Sequence, residues 1–399
     1  MSSSFGTHLH YTLFGESHGQ AIGITVQGLP SGFSFDFTKI ETALMLRSGK
    51  AKFNTPRQEQ HQYQILSGYF DNHTTGTPFT VIFPNNDIKS KDYDTVRTHP
   101  RPSHADYTAQ LKYGCNDYRG GGHFSGRLTT PLVFLGAMVL QLIQAEYPTF
   151  SIHSHIHKML DITDTSYYDL RTHSIQDAFG YTNHKKMDAA FLMDTIENDE
   201  IFTRYQEGLQ EIQKRFTSLD PAFPVIDETS KMAMQRCIAD IQKQQATVGG
   251  NIETVVFNPP IALGDPFFNS VESLLSALLF SIGSVKAVHF GYGDNFIQAN
   301  GADVKDEIIQ INEQKVCTLY NYNGGINGGI TNGEDLIIAT TFKPISSLQQ
   351  TQYSFNTATQ KIEALDINGR HDVTIANRII PVIEAMVLIG IYDLLLANK

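Results

Sequence analysis

Cysteine is scarce in this 399-residue chain: Cys115, Cys237 and Cys317 are odd in number, far apart and without a C-x-x-C pair. That usage argues against a disulfide framework or a cysteine-rich zinc module, and it fits a reducing compartment. Positive charge is also short. Lys and Arg number 30 against 41 Asp and Glu, a formal charge of −11. General binding to nucleic acid or to an acidic membrane surface is therefore not expected. The start, MSSSFGTHLH, has neither a basic n-region nor an apolar h-region, so no secretory signal is expected and the expected location is cytoplasmic. The most apolar tail, 379–397, is interrupted by Pro381, Glu384 and Asp393 and reads as a buried helix, not a membrane span. A regular βαβ rhythm, a short-period repeat and a clean linker are missing too. One interlocked α+β unit over residues 1–399 is the expectation.

What is present is unevenly spread. From Arg47 to Arg127 there are 11 Lys and Arg against 7 Asp and Glu, while the rest carries 19 against 34. A basic island in an acidic protein points to a small, highly anionic ligand, or to a chance fluctuation of solvated charge. Its centre is Arg101–Thr129, RPSHADYTAQLKYGCNDYRGGGHFSGRLT. Glycines at that density let backbone N–H groups approach an anion. Arg119 and Arg127 bracket the glycine run, and histidine is the side chain suited to proton movement near neutrality, which singles out His104. Alternation predicts strands at 21–26, 63–70, 78–83, 150–157, 251–257, 285–290 and 335–342, a hairpin at 304–320, and a loop or hairpin at 345–369. Helical spacing predicts 36–47, 130–146 with Pro131 in its first turn, 187–197, 200–217, 228–246 and 271–282. A last helix is expected from near Asp372, with Pro381 as a point of kinking.

Several constellations carry chemistry, each beside a plainer reading. In GESHG, glycines flank Ser17 and His18: an acid with a hydroxyl relay, or a capped turn. In RPSHAD, Arg101 could hold an anion beside His104, or Ser103 could cap a helix that starts there. RGGGHFSGR resembles a phosphate nest but lacks the lysine and frame of a Walker loop; its plainer reading is a surface turn. HSHIH sets His153, His155 and His157 on one strand face, roughly 6.5–7 Å apart in pairs, so a polar face is favoured over a zinc site. GGINGGITNG followed by Lys343-Pro344-Ile345-Ser346-Ser347 could contact a phosphate or flavin, or be an ordinary strand exit. In NGRHD, Asp372 is either a base beside an Arg370 anion clamp or a helix cap. Read alone, these features leave open a metal-dependent hydrolase built on HSHIH and a non-catalytic phosphate-binding module.

Taken together, FGESHGQAIGITVQGLP, GGHFSGRLTTPLVFLGAM and RHDVTIANRIIPVIEAM, in this order, resemble the three signature regions of the chorismate synthases. ILSG, TTGTP, KSKDY, RPSHADYT, KYG, DYRGGG, SVK, GGINGGITNG and KP match as well, so the resemblance spans nearly the whole chain. It implies a β-α-β sandwich, with helices between antiparallel sheets, and a homotetramer. It also implies loss of phosphate from 5-enolpyruvylshikimate 3-phosphate by 1,4-anti elimination, with reduced FMN needed although the reaction is redox-neutral. No reductase domain is visible, so an external flavin reductant is expected. By motif position, His18, His104 and Asp372 resemble the family's proton-handling residues, and Ser17 and Ser125 its relays. Arg47, Lys52, Arg101 and Arg127 would hold substrate anions. Flavin contacts would come from His123, Phe124, Ser125, Gly283, Ser284, Gly328, Lys343, Pro344, Ile345, Ser346, Ser347 and Arg370. His123-Phe124 stands where Arg-Ser is frequent in the family, and Lys52 where arginine is, which keeps charge but loses bidentate geometry.

Overall fold

The computed structural model describes residues 3–49, 62–85, 96–179, 199–312, 315–367 and 372–399. Two five-stranded sheets, each antiparallel at every pairing, enclose a layer of helices. The first holds β1 (Ser4–Phe5), β2 (His10–Gly15), β3 (Ala21–Gln27), β4 (Gln64–Ser67) and β5 (Phe79–Pro84), in the order β1-β2-β3-β5-β4. The second holds β6 (Ser151–Met159), β7 (Ile162–Thr163), β8 (Gly250–Phe257), β9 (Val285–Phe290) and β10 (Leu336–Phe342), in the order β9-β10-β8-β6-β7. This is the expected β-α-β sandwich.

The strand sequences state which faces are covered. In β5, Phe79, Val81 and Phe83 are buried and their neighbours are less so, the alternation of a one-sided sheet. In β8 the run Ile252–Phe257 is buried throughout, because this sheet is covered on both faces. Inside lie α1 (Phe37–Ser48), α3 (Thr129–Glu146), α7 (Val271–Phe280) and α8 (Ala376–Ala397). Outside, α4 (Tyr167–Phe179) and α5 (Asp199–Thr217) pack Tyr167, Ile212 and Phe216 onto Val255 and Phe257. Helix α2 (Asp106–Tyr113) is short and α6 (Glu228–Lys243) longer.

Two helices of the inner layer are long and apolar enough to cross a membrane, but 72% and 89% of their apolar windows are buried inside the protein. They are the core of the sandwich, and they touch where side chains shrink: a Cβ added to Gly136 of α3 would stand 2.4 Å from Ala385 Cβ of α8.

Several element limits differ from the sequence reading. The predicted strand 63–70 is cut at Gly68, whose φ is +81° and whose added Cβ would strike Phe79 Cα at 2.4 Å. The helix predicted to reach residue 246 stops at Lys243, and Gln245 takes a positive φ of 57°. The last helix begins at Ala376, not at Asp372, and continues past Pro381. Helix α4 falls in a stretch for which no element is predicted. The predicted helix 187–197 lies outside the described residues.

Candidate functional site

The GESHG turn follows β2 and is pinned from three sides. Ser17 N–H donates to the Gly122 carbonyl at 3.1 Å, and the Ser17 hydroxyl reaches His18 Nδ1 at 3.0 Å and the Arg119 carbonyl at 3.3 Å. The Asn85 amide donates to the carbonyls of Glu16 (2.9 Å) and Gly19 (2.8 Å). Ser17 and His18 are both buried.

The glycine run meets this turn directly. Gly120, Gly121 and Gly122 have φ values of 59°, 104° and 53°, three successive left-handed residues that only glycine adopts readily. A Cβ on Gly120 would fall 2.1 Å from His18 Cε1. One on Gly121 would fall 3.4 Å from His104 Cε1 and 3.5 Å from His104 Nε2. Adjacent glycines thus touch both histidines, which lie 86 residues apart in sequence. Ser125 is at the same place, its Cα 3.7 Å from that second position.

His104 sits on a tight carboxylate–arginine unit. Asp106 accepts from Arg101 N–H (2.9 Å), Arg101 Nε (2.8 Å), Arg101 Nη2 (2.8 Å) and His104 Nδ1 (2.8 Å). Burial works to raise the Asp106 pKa, but the hydrogen bonds from Arg101 and His104 outweigh it and hold the carboxyl well below the usual range. Ser103 does not cap a helix: it has a positive φ of 58°, and α2 starts after Ala105 without a side-chain cap.

The KPISS segment joins the same turn. Lys343 Nζ donates to the Ser103 carbonyl at 2.6 Å and to Ser346 Oγ at 2.8 Å, and Ser346 Oγ donates to that carbonyl at 2.8 Å. Burial, with Lys286 nearby, lowers the Lys343 pKa. Lys343 N–H donates to the Ser284 carbonyl at 2.9 Å, which brings Gly283-Ser284 alongside. Thr247 Oγ1 donates to the Ile345 carbonyl at 2.8 Å, and Val248 N–H to the Val373 carbonyl at 2.9 Å. Asp372 thus precedes a residue, Val373, that Thr247-Val248 links to KPISS. It pairs with Arg378 of α8 at 2.8 Å instead of capping that helix. A path of neighbours runs from His18 through Gly120, Gly121, His104, Ser103, Lys343–Ile345 and Thr247-Val248 to Val373.

Most of the other candidates engage partners within the chain. Arg101 turns its guanidinium onto Asp106, and Arg119 turns onto Asp117 with Nε at 2.7 Å, so part of the basic island is neutralised within the chain. Arg47 is buried and ties α1 to the start of α3, through Thr129 Oγ1 (2.9 Å) and the Gly126 carbonyl (2.8 Å). Arg127 Nε donates to Asn85 Oδ1 at 2.6 Å. His123 faces the Gly15 carbonyl with Nδ1 (2.8 Å) and Ser3 Oγ with Nε2 (3.0 Å), which fixes its ring against β2. Phe124 is 47% exposed. Gly328 stands apart: Val271 N–H bonds to the neighbouring Gly329 carbonyl, at the N-terminus of α7, while Gly283-Ser284 follows its C-terminus. That helix is about 15 Å long. Lys52 and Arg370 lie outside the described residues.

The HSHIH strand is not a solvated polar face. His155 is fully buried, with Asp164 on Nδ1 at 2.9 Å and Glu253 on Nε2 at 3.0 Å. Burial would lower its pKa, but the two carboxylates prevail and raise it to about 9. Among the described residues no group of three or more His, Cys, Asp or Glu is arranged to hold a metal ion. His155 belongs to a structural ion network with Asp164 and Glu253, and the hydrolase reading loses its site.

Sequence reasoning did not single out Asp106 or Asn85. Asp106 lies inside the RPSHAD motif, four bonds of which depend on it; Asn85 had no signal, since its partners come together only in the fold.

The sequence model of the chorismate synthase family matches residues 9–396. A chorismate synthase of Methanococcus vannielii is 35% identical over 399 residues, which cover 100% of this chain and 97% of the relative. One from Lancefieldella parvula is 33% identical over 398 residues, 99% of this chain and 96% of the relative. A crystal structure of chorismate synthase shares the fold with a TM-score of 0.65 and 19% identity, over 99% of this chain and 93% of the other.

Proposed function

We propose, from the premise that the chain belongs to the chorismate synthase family and is a chorismate-forming lyase of aromatic amino acid biosynthesis, that it acts on 5-enolpyruvylshikimate 3-phosphate with reduced FMN. The reaction is a 1,4-anti elimination. A ring C–H bond and the C–O bond to phosphate break, a double bond forms, and a proton and inorganic phosphate leave. The observation that carries this reading is the meeting of His18 and His104 across Gly120-Gly121, with Lys343 and Ser346 bound to the same turn as His104.

The donor set fits a planar, anionic cofactor. Lys343 Nζ and Ser346 Oγ stand at one edge, and three glycines with positive φ offer backbone without Cβ cover at the other. Reduced FMN, when bound, would supply an electron-rich ring system that assists phosphate departure without net electron transfer. His123, Phe124, Ser125, Gly283, Ser284, Pro344, Ile345, Ser347 and Arg370 would complete the contacts, with Gly328 reaching a different end of α7. His18, backed by Ser17, would hold a proton at one side of the site. His104 would present Nε2 to the departing phosphate, and Asp372 would take part in removing the ring proton. Arg127, Arg47, Arg101 and Lys52 would set the positive field for the substrate's two carboxylates and phosphate. Flavin reduction would come from an external reductant, and the assembly would be a homotetramer.

The test is an anaerobic assay with dithionite-reduced FMN and substrate, reading chorismate and phosphate together. Equal amounts of both are expected, with no effect of a chelator and no turnover on oxidised FMN. Turnover that is independent of reduced flavin, or tight substrate binding with no product, would contradict the proposal.

A further inference from the structure

We propose that Asp106 is a positioning residue for this reaction: its carboxylate fixes the Nδ1–H tautomer of His104 and so aims Nε2 at the glycine run. The inference rests on the lyase reading and deepens it.

The hydrogen-bond inventory forces the tautomer. Three groups crowd together: Arg101 Nη2 is 2.8 Å from Asp106 Oδ1, His104 Nδ1 is 2.8 Å from the same oxygen, and Nη2 is 3.1 Å from Nδ1. Guanidinium nitrogen can only donate, and an ionised carboxylate can only accept. The carboxyl stays ionised here, because it gathers four donors in a buried place. Nδ1 therefore carries a hydrogen aimed at Asp106, and Nη2 and Nδ1 are neighbours that share an acceptor. That leaves Nε2 as the nitrogen that changes its protonation in use. It lies beside Gly121, where an added Cβ would come into ordinary contact with it at 3.5 Å.

A bland role for Asp106 is to cap α2, in which it is the first residue. The geometry argues otherwise. Its oxygens turn back to Arg101 and His104, and α2 has no side-chain cap bond. The turn is also held from the far side, where Lys343 and Ser346 bind the Ser103 carbonyl. Asp106 thus sets the ring's rotation while Lys343 sets the height of its backbone.

The test is a double-mutant cycle with kcat, substrate KM and reduced-FMN affinity measured separately. Asp106→Asn keeps the size but sets an amide NH2 against a cationic donor. Alone it is expected to lower kcat about 10–100-fold, the usual cost of losing a group that orients a histidine, with KM and flavin affinity within about threefold. In a His104→Ala background the same change is expected to cost less than about threefold more, because there is no ring left to orient. Independent losses in the two backgrounds, or an effect confined to KM or flavin affinity, would overturn the proposal. If Asp106→Asn does not fold, the imidazole 15N shifts of wild-type protein decide, with the His104 signals assigned by their loss in His104→Ala. The neutral ring is expected to show protonated Nδ1 and bare Nε2; the opposite tautomer would overturn the proposal. That readout needs no turnover. A wild-type enzyme that makes no chorismate would therefore sink the lyase reading and leave the tautomer standing.

Discussion

Position 120 leaves no room for any side chain while His18 keeps its place. Gly120 has a φ of 59°, and an added Cβ would sit 2.1 Å from His18 Cε1. Gly120→Ala is expected to lower turnover more than about tenfold through displacement of His18, and to destabilise by about 1–2 kcal/mol from the left-handed backbone. Steady-state rates and a denaturant melt check both; wild-type rates would show that the imidazole position is not used. At this scale the sequence was informative about identity and poor about partners. His18, His104 and Ser125 were legible because their motifs fix their neighbours along the chain. Arg101 and Arg119 read as anion grips, yet each faces a carboxylate a few residues away, and the choice between a ligand and a neighbour is made by local turns. His123 read as a flavin contact, and the sequence did not show that its ring also bonds to Gly15 and Ser3 from far upstream.

Elements were more legible than their limits. The period of α3, α7 and α8 announces apolar helices, but not that α3 and α8 approach through Gly136 and Ala385. Gly136→Val is expected to destabilise by about 1–3 kcal/mol, the usual penalty of overpacking, because the new group must displace Ala385. Chemical denaturation checks it; an unchanged midpoint would mean the two helices can separate without loss. Helix α4 was illegible, since its buried face is made by Tyr167, Leu170, Arg171 and Ile175 in a polar stretch. Its start is tied to β8, where Tyr167 N–H donates to Glu253 at 2.7 Å, and Glu253 also holds His155. The pH dependence follows from that network. The folded His155 pKa is raised from 6.5 to about 9, so its contribution is full below pH 6.5 and is lost as pH rises through 9. The stability of the wild-type protein is expected to fall between about pH 7 and 10 by a component that His155→Gln lacks. Parallel pH profiles for the two proteins would contradict the assignment.

At the scale of the molecule, the sandwich exists to bring sequence-distant loops to one edge. The first sheet delivers the GESHG turn, the lead-in to α3 delivers the glycine run, and β10 delivers KPISS. The N-terminal segment is closed onto the last helix, where Asp393 accepts from the N–H groups of His8 and Leu9, both at 2.7 Å. The α+β class was legible from mixed strand and helix periods; the order of strands was not, because antiparallel pairing between distant segments leaves no local mark. The most direct measurement of the account is amide hydrogen exchange on the full-length protein, with and without reduced FMN and 5-enolpyruvylshikimate 3-phosphate, under anaerobic conditions. Protection is expected to rise together in residues 15–19, 101–106, 119–127 and 343–347, with the outer helix α5 unchanged. Protection limited to one of these segments, or spread evenly over the sandwich, would contradict a single shared site.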